Sequence, residues 1–189
     1  MDGLDGSGKD THANRIRMLL ESDGERVMMI SHPSKRFTGR MSKRFLKGTG
    51  PVARLFATVF FTADVLWSVR RIKTVGDGTV IFVRYLMGTA YLPRRLAPLG
   101  YRFFRRFLPF PDIALFVDIE PKVALRRIAA RGLAPEMFET LDKLETVRKV
   151  AKQLASSEWL TVDNSEDGEG PFREVERLLR ERSVLRPAV

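Results

Sequence analysis

Gly3-Leu4-Asp5-Gly6-Ser7-Gly8-Lys9-Asp10-Thr11 is the stretch whose reading decides the fold. Glycine, four residues, glycine and lysine is the spacing of a phosphate-binding loop. Gly3, Gly6 and Gly8 permit backbone angles that side chains would block, so amide N–H groups can turn inward as an anion nest. Lys9 brings a compact positive charge to the terminal phosphates of a nucleotide. The helix predicted to begin near Lys9 adds the positive end of its dipole. An ordinary glycine-rich turn is the competing account. Three glycines in register with a lysine, followed by a helix-like stretch, favour phosphate binding.

Two features of the stretch depart from the usual pattern. A hydroxyl residue normally follows the lysine as a ligand of Mg²⁺. Here Asp10 stands in that place and Thr11 follows. A carboxylate can hold Mg²⁺ directly or through water, so Asp10 is a candidate metal ligand. A phosphate loop should also follow a buried strand, yet only Met1-Asp2 precede Gly3. The first strand is therefore expected to be truncated, with a start upstream of Met1. Loss of a central strand would expose the backbone groups of its neighbours.

Working outward, apolar residues at Ala13, Ile16, Leu19 and Leu20 predict a helix after the loop, closed by Asp23-Gly24. Residues 26–31, 79–83, 112–118 and 159–163 read as buried strands. They alternate with helical stretches at 39–46, 52–73, 120–131, 141–157 and 171–182. Strands that are apolar runs rather than alternating ones predict a parallel sheet covered on both faces, hence an α/β fold. His32-Pro33-Ser34-Lys35-Arg36 follows the first of these strands, at the end where ligands gather in open α/β sheets. Arg84-Tyr85 sits at the tip of the next strand. The expectation is one domain over residues 1–189.

With 189 residues the chain can bury a core, and 44% hydrophobic residues suit a globular protein. No run of about 20 uninterrupted apolar residues marks a membrane helix, and no signal-peptide pattern is seen. The absence of cysteine excludes disulfides and thiolate chemistry. Cytoplasm is the expected compartment. A net charge of +10 points to anionic partners such as nucleotides, nucleic acid or acidic lipid.

The ordered set of motifs resembles thymidylate kinases, within the P-loop nucleoside monophosphate kinases. The phosphate loop, His32-Pro33 with Gly39-Arg40, Phe60-Phe61-Thr62-Ala63-Asp64, Val83-Arg84-Tyr85, Pro111-Asp112, and the run from Asp118 to Gly132 match in order and spacing. The resemblance implies a P-loop parallel sheet and transfer of the ATP γ-phosphate, with Mg²⁺, to dTMP or a related pyrimidine deoxynucleoside monophosphate. It also implies a homodimer and a lid over about 132–140. Carried over, Lys9 and the loop from Gly3 to Thr11 would hold the ATP phosphates, and Asp5 would lie near the metal and the attacking phosphate. Arg84 would hold the acceptor monophosphate, helped by Arg36 or Arg40 beside Pro33 and Tyr85. Phe61 would stack on the acceptor base, or be core. Arg127 and Arg131 would flank the donor, or form an ordinary basic helix face. Asp118 is read as a cap for the next helix, in preference to a metal-shell carboxylate.

The sequence departs from the family at several of these places. Val83 stands where an aspartate precedes the Arg-Tyr pair. Val65 replaces an arginine used to contact the acceptor base. Asp10 replaces the metal hydroxyl, and the lid segment Gly132 to Met137 lacks the usual arginine. The competing class of function is a nucleotide-binding module with little catalysis. It would attach to anionic membrane or nucleic acid through the basic aromatic segment 94–108.

Overall fold

The computed structural model describes residues 1–132 and 136–185. Five parallel strands form its centre. β1 (Asp2–Gly3) pairs with β4 (Leu115–Asp118), and β4 with β5 (Leu160–Asp163). β2 (Val27–Ser31) pairs with β3 (Thr79–Val83). Met1 joins the two groups: its ammonium donates to the Phe82 carbonyl at 2.7 Å, and its carbonyl accepts from the Arg84 N–H at 3.2 Å. The order across the molecule is therefore β2-β3-β1-β4-β5, and β1 is as short as the sequence predicts.

The strands are mainly apolar because both faces are covered. Ile81, Val83, Leu115 and Val162 meet Ala13, Ile16 and Leu20 of α1 (Lys9–Ser22) and Phe172, Val175 and Leu179 of α7 (Gly170–Glu181). Ile30, Phe82 and Phe116 face the other way, into a core shared with α3 (Gly50–Val69), α4 (Ala97–Phe107), α5 (Pro121–Ala129) and α6 (Leu141–Ala155). The period-2 alternation of neighbouring strand residues sorts them between these layers. α2 (Phe37–Leu46) packs along α3.

Four details differ from the sequence reading. β4 begins at Leu115 rather than at residue 112. A 3₁₀ turn at Leu86–Tyr91 was not predicted. Its cause is the buried Asp2 carboxylate, which accepts from the N–H groups of Tyr85 at 2.7 Å and Met87 at 3.1 Å. Asp118 does not cap α5; Glu120 stands at its N-cap position, without a capping hydrogen bond from its side chain. The Asp118 carboxylate instead binds Arg148 through two 2.8 Å hydrogen bonds and Lys152 at 3.1 Å, clamping α6 to the end of β4. Although no uninterrupted apolar run was expected to suffice, α3 is long and apolar enough to cross a membrane by length and composition. In this fold, however, its Asp64 is buried and accepts from Ser34 and Thr38, which ties one face to the loop after β2.

The basic aromatic segment becomes α4 and its approach. Tyr101 is buried and accepts a 2.7 Å hydrogen bond from the Trp159 indole, while Arg105 pairs with Glu158. Leu96, Leu99, Phe103 and Phe107 remain on the outside. The expected lid over 132–140 falls partly on residues 133–135, outside the described residues.

Candidate active site

The loop between β1 and α1 closes on itself. Gly6 and Gly8 hold φ angles of 79° and 80°, the left-handed region that glycine adopts without strain. Neither position has room for a side chain. A Cβ on Gly6 would lie 2.6 Å from the Ala124 carbonyl oxygen, and one on Gly8 2.5 Å from the Asn164 amide nitrogen. Asn164 also donates to the Ser7 carbonyl at 2.6 Å, bracing the loop from behind. Lys9 opens α1 but turns back across the loop, donating to the Leu4 carbonyl at 2.8 Å. Its ammonium lies 3.9 Å from Asp5. Burial, together with the Arg84 charge, pushes the Lys9 amine down to about 8.

β3 delivers Arg84 to the same place. Its backbone is left-handed, at φ 59°, and its guanidinium meets Asp5 at 2.7 Å. Tyr91, at the end of the 3₁₀ turn, donates its hydroxyl to the other Asp5 oxygen at 3.1 Å. Burial pushes the Asp5 carboxyl up, but Arg84 and Lys9 outweigh it and hold the group below its ordinary value. Buried His32 bridges the Arg84 carbonyl and the Ser68 hydroxyl, so it braces the strand tip at the border of the polar cleft.

Two clefts meet at Asp5 and Arg84. The first, with about 710 Å³ of empty space, has an apolar wall of Leu46, Ala57, Phe61, Tyr91 and Phe138. The second, of about 560 Å³, is polar and is lined by Asp10, Ser31, Lys43 and Arg131 among others. Pro33 and Glu136 border both. Burial and the nearby Asp5 and Glu139 carboxylates raise the Glu136 pKa.

The other residues singled out from the sequence fall into two groups. Phe61 faces the first cleft, and Asp10, which accepts from the Ser31 hydroxyl at 3.3 Å, faces the second with Arg131. Leu4 is a core residue that offers its carbonyl to Lys9, and Thr11 is exposed on α1. Arg36 folds back onto Ser34, Asp64 and Ser68 of its own wall, and Arg40 is exposed on α2 outside both clefts. Tyr85 is buried against Phe82, with its hydroxyl on the Pro109 carbonyl, and lines neither cleft. Arg127 binds the carbonyls of Asn164 and Glu166 and the Asp167 carboxylate, which fastens the loop after β5.

Sequence reasoning passed over Asp2, Arg54, Lys43, Glu136 and Asn164. For Asp2 the only signal was a carboxylate beside the loop. Arg54 had a clearer one, a lone cation in the otherwise apolar first turns of a helix.

The chain matches the family model described as "Thymidylate kinase" over residues 1–175. It is 32% identical over 190 residues to the thymidylate kinase of Xanthomonas euvesicatoria pathovar vesicatoria, a match covering 95% of this chain and 81% of that one. The thymidylate kinase of Xanthomonas oryzae pathovar oryzae gives the same identity and coverage. That of Xanthomonas campestris pathovar campestris is 31% identical over 184 residues, covering 92% and 78%. A phosphate loop opening α1, an arginine at the tip of the neighbouring strand, and relatives of one kind along almost the whole length agree: the chain belongs to the thymidylate kinase family.

Proposed function

We propose that the chain transfers the γ-phosphate of ATP to dTMP, giving dTDP and ADP. The observation that carries this reading is the meeting of the two clefts at Asp5, where one carboxylate oxygen lies 3.9 Å from the Lys9 ammonium and 2.7 Å from the Arg84 guanidinium. Lys9 and the loop amides bind the donor phosphates. Arg84 binds the acceptor phosphate, and Phe61 offers its ring to the acceptor base in the apolar cleft. Phosphoryl transfer needs positioning in line and neutralisation of charge, and two cations converging beside the transferred group contribute to both.

Asp10 and Ser31 put oxygen donors in the polar cleft, a set that suits Mg²⁺ shared with phosphate oxygens. Both would hold the ion, which supplies charge neutralisation at the phosphates. Asp5 is taken at both oxygens by Arg84 and Tyr91, so it serves the guanidinium rather than the metal. Arg131 lines the donor side. The reading places the chain in the cytoplasm with its nucleotides.

An assay coupled to ADP release, run with ATP, Mg²⁺ and each nucleoside monophosphate in turn, tests the proposal. Turnover with dTMP exceeding that with purine monophosphates is expected. Saturable dTMP binding without turnover would overturn the catalytic reading.

The homodimer belongs to the same proposal. Val52, Leu55, Phe56, Val59, Leu66 and Trp67 leave an apolar stripe on the outside of α3, and a second copy of that helix would cover it. Light scattering on the wild type should give twice the mass of the 21.6 kDa chain. Leu55→Glu with Trp67→Glu should give the monomer. A monomeric wild type would remove the dimer from the proposal.

A further inference from the structure

Among the described residues, the apolar cleft contains two cations, Arg54 and Arg84. Arg84 is committed to Asp5. Arg54 is not committed. Its Nε is buried without a hydrogen-bond partner, and its guanidinium rests over the Phe138 ring, 5.5 Å from the centroid. Interiors seldom leave such a donor unpaired, because its lost hydration is not repaid. An unpaired guanidinium N–H in the wall of a cleft is repaid when a ligand with an acceptor atom enters.

The position along α3 says which part of the ligand that is. Residues 54, 58, 61 and 65 recur at helical spacing on one face. Arg54, Thr58 and Phe61 line the apolar cleft. Val65 lies beyond Phe61 and opens instead on a separate apolar pocket with Tyr85, Leu92 and Phe104. No polar group is left at position 65 to meet a base edge. The cation on this face lies two turns before Phe61, in the wall of the same cleft.

We infer that Arg54 reads the base of the acceptor nucleotide, donating to a ring carbonyl of an oxo-pyrimidine stacked on Phe61. The inference rests on the acceptor-site reading above. A guanidinium offers five donors and no acceptor. It therefore complements the carbonyl edge of thymine or uracil and opposes the 4-amino group of cytosine, as arginines do at base edges elsewhere. Phe138 holds the guanidinium plane while the cleft is empty.

The test uses the full chain as wild type, Arg54→Met and Arg54→Lys. It reads kcat and KM for dTMP, dUMP and dCMP, and equilibrium binding of dTMP and of deoxyribose 5-phosphate, which lacks the base. Arg54→Met should raise the KM for dTMP about 10- to 100-fold, with a much smaller change in kcat and none in the KM for ATP. The preference for dTMP over dCMP should fall by a similar factor. Binding of deoxyribose 5-phosphate should stay at the wild-type level. Arg54→Lys keeps the charge without the planar fork and should lie between; it carries the comparison if Arg54→Met does not fold. An unchanged KM and base preference in the variants would overturn the inference alone. So would equal loss of dTMP and of the base-free sugar phosphate, which marks a structural or phosphate-binding role. A wild type that binds none of the three nucleotides would overturn the site reading and the inference together.

Discussion

Lys9→Ala is expected to lower kcat/KM by about 10³-fold with every acceptor, since a preorganised charge aimed at the transferred phosphate is among the largest single contributions to such a step. That factor corresponds to about 4 kcal/mol of transition-state stabilisation. Lys9 cannot be replaced by a neighbour. Lys43 and Arg131 line the polar cleft, with Arg131 3.7 Å from Glu139, and Arg84 is held by Asp5. The same residue gives a pH signature. With its amine pushed down to about 8 by burial and by Arg84, Lys9 of the free protein is an ammonium below that value and loses its charge above it. ATP affinity of the wild type should therefore weaken as pH rises through that region, and the alkaline limb should vanish in Lys9→Ala. Titration calorimetry between neutral and alkaline pH reads both. A variant retaining a tenth of wild-type kcat/KM would mean that the loop amides alone carry the donor phosphates.

Arg84→Gln is expected to raise the KM for the acceptor monophosphate about 10²-fold while changing the KM for ATP little. Two effects add. The charge-assisted contact to the acceptor phosphate is lost, worth about 1.5–3 kcal/mol. In addition, Asp5 loses its partner at 2.7 Å and is left as a carboxylate facing an anionic substrate. Asp5→Asn in the same chain separates the two. If repulsion by the orphaned carboxylate matters, the double variant should recover part of the acceptor affinity that the single variant lost, and a double-mutant cycle measures the share. Equal losses toward ATP and acceptor would place Arg84 between both phosphates rather than on the acceptor side.

The phosphate loop was legible because its signal is local: glycines and a lysine at fixed spacing need nothing from the rest of the chain to be read. Arg84 was legible for a related reason, since a buried strand ending in arginine aims that side chain at the sheet's ligand-binding edge. Arg36, Tyr85 and Asp118 were harder, because their partners are long-range. Arg36 turns toward Ser68, Tyr85 toward Pro109, and Asp118 toward α6, contacts 24 to 32 residues away in sequence. Arg54 failed differently. A cation on an apolar helix reads as a solvated edge until the fold shows that α2, the 3₁₀ turn and Phe138 close a cleft around it. Helix periodicity tells which residues share a face, but not what that face meets.

The close approaches at Gly6 and Gly8 set a timetable. Ala124 walls the loop on one side and Asn164 braces it from another, and Asn164 is 156 residues beyond Gly8 in the chain. At ribosomal speeds of about 5–20 residues per second, that distance corresponds to about 8–30 s of synthesis. The nascent nucleotide grip is incomplete for all that time. Its geometry arrives only when β5 has been made and docked, so the loop at the very start of the chain is among the last parts of the domain to be completed.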